Sequence, residues 1–135
     1  MFNPMEPHEL ILGVGRVLRA AADGGQDDEY RRSQLLSAYS VARHLAAEEA
    51  AATELLAWLS AALDEALAGD ERPLVRTARD AVAAATDGRM VGVALTPLLA
   101  GLGTGREDAA LRGRVHRVLA EMADREVAAL AGAQA

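Results

Sequence analysis

Residues 26–68 read QDDEYRRSQLLSAYSVARHLAAEEAAATELLAWLSAALDEALA, forty-three positions without a glycine or a proline. The stretch is dominated by Ala, Leu, Glu, Arg and Gln, all strong helix formers. As one helix it would be roughly 60 Å long at about 1.5 Å per residue, some twice the width of a small domain. Either it breaks into two antiparallel helices, or it runs on and needs something to cover its apolar stripe. The expected fold follows from that segment. It is an all-α, compact antiparallel bundle of four to six helices, with a long second helix or helix pair at about 28–68.

Placing Leu35 at heptad position a puts Leu35, Ala42, Glu49, Leu56 and Leu63 at a. Ala38, Leu45, Ala52, Leu59 and Ala66 then fall at d. Leu alternating with Ala suits close antiparallel packing, knobs into holes. Glu49 alone is charged, and three readings remain open for it. It could mark a solvated turn near 46–52, face an arginine across the seam and fix register, or bind a ligand in the core. Asp27 is the expected N-cap, with Asp27–Arg31 and Asp28–Arg32 as supporting pairs.

Outward from this segment, Pro7 to about Ala22 reads as a first helix, with Leu10, Ile11, Val14, Val17, Leu18 and Ala21 on its inner face. Gly13 and Gly15 weaken it by about 1 kcal/mol each but let another backbone come close. Asp70 and Pro73 start a third helix to about Thr86, packed through Leu74, Ala78, Val82 and Ala85. Met90 to Gly105 carries no charge, so it is expected to be the most buried element, with Thr96-Pro97 restarting a short helix. Thr104 and Glu107 form a capping-box pattern for a last helix packed through Leu111, Val115, Val118, Met122 and Ala129. The 135 residues are expected to form one domain, frayed at 1–6 and 132–135.

Composition restricts the chemistry. There are 31 alanines and 19 leucines but only four aromatic residues, which predicts a thin core with close helix approach. A net charge of −6 argues against direct nucleic-acid binding and against anionic membranes. The chain has no cysteine, which excludes disulfides and thiolate chemistry, and no lysine, which excludes Schiff-base chemistry and a P-loop lysine. The first residues lack a basic, apolar signal pattern, and Pro97 interrupts the longest uncharged run, so a cytoplasmic location is expected.

The richest polar group is Tyr39, Ser40, Arg43, His44 and Glu48, with Glu49 beside it and His116 as a distant candidate member. His44 and Glu48 are four apart on one helical face and could ligate a metal or exchange a proton. Two ligands do not make a site, and no Glu-x-x-His motif occurs. A surface ion pair is the simpler reading, and no metal or cofactor is assigned. Arg106, Arg112, Arg114, His116 and Arg117 form a basic cluster already furnished with acidic helical neighbours. Gly13-Val14-Gly15 lacks the strand and third glycine of a nucleotide loop, and the serines lack a nucleophile-elbow context.

The leading expectation is therefore a non-catalytic interaction or assembly module. It would associate with itself, or with another helical protein, through Leu45, Leu56, Trp58, Leu59 and Leu63. The alternative is a ligand-binding protein or enzyme built around Arg43, His44 and Glu48. No catalytic residue is assigned.

Overall fold

A computed structural model describes residues 6–24 and 28–134. Among them the chain is all-helical: α1 (Pro7–Gly24), α2 (Glu29–Leu67), α3 (Pro73–Ala83), α4 (Gly88–Gly101) and α5 (Arg106–Gln134). The long segment is one helix of 39 residues. With no Gly or Pro between Glu29 and Leu67, nothing in its backbone chemistry interrupts the hydrogen-bond ladder. Asp27, the expected cap, lies outside the described residues. Asp28 performs that role, its Oδ1 accepting the Arg31 backbone N–H at 3.1 Å.

The chain divides into two compact units, Met1–Ala51 with Glu126–Ala135, and Ala52–Arg125. The division falls inside α2 and α5, so each unit is built from parts of shared helices.

The second unit holds the larger core. Leu59, Leu63 and Leu67 of α2 meet Val75, Ala78 and Val82 of α3, Val91, Leu95 and Leu98 of α4, and Leu111 and Val115 of α5. Leu63, Leu67, Leu98, Val75 and Val115 are fully enclosed. Each such side chain contributes about 1.5–3 kcal/mol relative to exposure. At the end of α2, Gly69 turns the chain at φ +81°, a conformation that favours glycine. Arg114 Nε then donates to the Ala66 carbonyl at 2.9 Å, satisfying one of the acceptors a helix end leaves over.

Charged groups tie these segments from outside the core. Arg79 forks onto both carboxylate oxygens of Asp64, joining α3 to α2. Arg72 reaches both Asp70 and Asp108, and Asp108 Oδ2 also accepts the Gly103 N–H at 2.6 Å. The loop before α5 is thus closed through Asp108 rather than through Thr104 and Glu107. The hydrogen bonds from Arg79 to Asp64, from Arg72 to Asp70, and from Arg72 to Asp108 hold these carboxyls below the usual carboxylate range.

Two local expectations are corrected in α4. Pro97 lies within the helix instead of restarting one, and the Thr96 hydroxyl donates to the Gly92 carbonyl one turn back. Nor is α4 the most buried element. Val91, Leu95 and Leu98 face the core, while Met90 and Val93 are exposed, Val93 at 66%. The lack of charge marked a helix with one covered face, because its neighbours pack on one side only.

In the first unit, α1 and α2 pack antiparallel. Gly15 lies against Ala42 and Tyr39, so close that a Cβ at Gly15 would meet both at 3.4 Å. Four residues further along α1, Arg19 stands over the Tyr39 ring. Advancing on α1 therefore means retreating on α2. Gly15 is the glycine that serves close approach, whereas Gly13 has open space beside it.

Candidate functional site

The close approach of α1 to α2 is made by small residues, and small residues leave larger neighbours outside. Gly15 and Ala22 of α1 are buried, with Ile11 and Leu18 half-buried in the same row. The expected inner face was wider, and the structure corrects it. Leu10, Val14, Val17 and Ala21 each precede a member of that row by one residue, about 100° round the helix, and all four are exposed. Rotation about Gly15 is the cause: the helix turns its glycine, not its valines, toward α2.

The same offset occurs on α2. Ala42 and Ala46 are buried, and Val41 and Leu45, one residue before each, are exposed. Ala38, preceding the half-buried Tyr39, continues the row. In two antiparallel helices an equal rotational offset leads to the same side of the pair. The apolar rows of α1 and α2 therefore share one face, carrying Leu10 at 41% exposure, Val14 at 59%, Val17 at 68%, Val41 at 58% and Leu45 at 48%.

The opposite side of the pair carries Arg16, Arg19 and Arg43 beside the half-buried Leu12 and Ala47. There the guanidinium carbons of Arg19 and Arg43 each stand 5.8 Å from the centre of the Tyr39 ring. Cations over a ring face are worth about 0.5–1 kcal/mol at exposed sites. This arrangement accounts for Tyr39 and Arg43 as a packed stack. His44 Nε2 and Glu48 Oε1 lie 3.7 Å apart on consecutive turns, both about half exposed. Glu49 is exposed as well. His116 is exposed on the portion of α5 within the second unit. Tyr39 and Arg43 come together; His44 and Glu48 form an open pair with no enclosing wall of their own.

The five residues expected to carry contacts fall into two groups. Leu59 and Leu63 are buried in the second unit's core, while Leu56 and Trp58 are half-buried against it. Arg125 covers Trp58 with its guanidinium carbon 4.1 Å from the ring centre. Leu45 alone belongs to the exposed apolar face. The sequence reading had assigned Leu10, Val14 and Val17 of α1 to its inner face, and it did not single out Val41. The signal on α1 was an apolar arc too wide for one neighbour to cover.

Elsewhere among the described residues, no group of three or more His, Asp or Glu side chains is placed to hold a metal ion. The basic cluster of α5 is partly engaged in structure, Arg112 Nη2 donating to the Leu102 carbonyl at 3.0 Å and Arg114 to Ala66. No described helix is long and apolar enough to cross a membrane. Comparison of the chain with protein-family models, curated proteins and solved structures finds no match.

Proposed function

We propose that the protein is a non-catalytic helical assembly module that associates with itself through the exposed apolar face of α1 and α2. The observation that carries this reading is the shared face of Leu10, Val14, Val17, Val41 and Leu45, each between 41% and 68% exposed. Isolated exposed apolar residues are ordinary, whereas a contiguous set on two neighbouring helices marks a contact surface. Covering the exposed half of each side chain is worth about 1 kcal/mol. Two copies would together gain about 10 kcal/mol, comparable with the 4–15 kcal/mol cost of bringing them together. Association is then reversible and concentration-dependent rather than obligate.

This reading moves the contact surface along α2 from where the heptads placed it. The half of the seam from Leu56 to Ala66 serves the chain's own core, and the half around Val41 and Leu45 serves the partner. Light scattering on the full chain tests it. Mass should rise with concentration across the micromolar range, and a constant monomer mass would refute the proposal.

A further inference from the structure

We infer that the partner copy packs face to face about a two-fold axis running across the helices, in a register set by Arg31 against Glu48 and Glu49. This rests on the self-association reading and specifies its geometry. Such an axis lays α1 on the partner's α1 and α2 on the partner's α2, each pair antiparallel, so that one patch serves both copies.

The α1 row fits that operation along its length, and the α2 row fits it at its centre, with Leu45 falling opposite the partner's Gln34. On α1 the row Leu10, Val14, Val17, Ala21 is symmetric about its midpoint, so reversal sets Val14 opposite the partner's Val17 and Leu10 opposite the partner's Ala21. On α2, Ala38 and Val41 stand on either side of the corresponding midpoint. All six positions are exposed.

The ends of the α2 row carry opposite charges. Arg31 lies about two and a half turns before the midpoint, and Glu48 and Glu49 about the same distance beyond it, each roughly 13 Å away. All three are exposed. Reversing one copy therefore brings Arg31 over the partner's Glu48 and Glu49, and symmetry makes the contact twice. A slip of one helical turn separates the charges and offsets the apolar rows, so the ion pairs select register more than they supply affinity. Glu49, the single charge in the heptad seam, receives a role here. It closes the apolar face at one end and orients the second copy.

Three full-length preparations test the geometry by sedimentation, with circular dichroism to verify folding: wild type, Arg31→Glu, and Glu48→Arg/Glu49→Arg. Each variant alone should self-associate about tenfold more weakly, because like charges then meet at both ends. An equimolar mixture of the two variants should recover wild-type association, since the heterodimer restores opposite charges at every contact. Wild-type self-association with both variants unchanged would overturn the register and leave the assembly reading standing. A wild type that stays monomeric would overturn both.

Discussion

Replacing Leu63 by alanine should destabilise the second unit without altering how two chains meet. Leu63 is fully buried among the side chains of α2, α3, α4 and α5. The substitution removes three carbons, a transfer loss of about 2.4 kcal/mol at about 0.8 kcal/mol per methylene-sized group. The surrounding helices are fixed by Leu67, Leu98 and Val115, equally enclosed, so the space cannot collapse fully. A cavity contribution brings the expected loss to about 3–4 kcal/mol. Trp58, half-buried against the same core, is the only tryptophan and reports this unit by fluorescence. With a urea slope of about 1.5 kcal/mol/M, the unfolding midpoint should fall by about 2 M. Leu45→Ala, at 48% exposure, should cost less than about 1 kcal/mol at concentrations where the chain is monomeric. A loss below about 1 kcal/mol for Leu63→Ala would refute its place in the core, and with it the division of the seam between core and contact surface.

The Gly15 contact predicts opposite outcomes for two substitutions. Gly15→Ala places its Cβ at ordinary contact distance from Ala42 and Tyr39, and should stabilise α1 by up to about 1 kcal/mol through helix propensity. Gly15→Leu should force α1 and α2 apart, lowering helicity and self-association together; unchanged circular dichroism and unchanged association would contradict the packing described. The carboxyls of Asp64, Asp70 and Asp108 have folded pKa values lowered mainly by hydrogen bonds from Arg79 or Arg72. Their contribution is therefore fully present above the ordinary carboxylate pKa, about 3.9, and is lost as pH falls through the lower folded values. Unfolding midpoints should decline below about pH 4, and Asp70→Asn/Asp108→Asn should flatten that decline; an identical acid limb in the variant would show that these pairs contribute nothing.

The helices were largely legible because their signals are local. Pro7 and Pro73 begin helices and Gly69 ends one, whereas the caps at Asp28 and Asp87, and the continuity of the run from Glu29 to Leu67 past Glu49, came from the structure. Helical faces were less legible, because rotation is decided by the neighbour. The apolar arc of α1 admitted several inner faces, and the match of Gly15 to Ala42 selected one that leaves Val14 and Val17 outside. Absence of charge in α4 did not separate a surrounded helix from one covered on a single side. The heptad pattern of α2 was continuous, yet its Leu59–Leu63 end meets α3, α4 and α5 while Leu45 remains exposed. Arg114 on the Ala66 carbonyl and Arg72 between Asp70 and Asp108 link positions too distant in sequence for spacing to reveal. Glu49 was identifiable as an anomaly, but only the structure places it, exposed, at one end of the exposed apolar row of Val41 and Leu45.

Sedimentation of the full-length chain from about 1 to 100 µM, with Val17→Glu/Val41→Glu alongside, tests the assembly claim most directly. The wild-type mass should rise from the 14.1 kDa of one chain toward twice that value, with the doubly substituted chain folded and monomeric throughout. A wild type fixed at 14.1 kDa over the whole range, or a double variant that assembles as well as wild type, would contradict it.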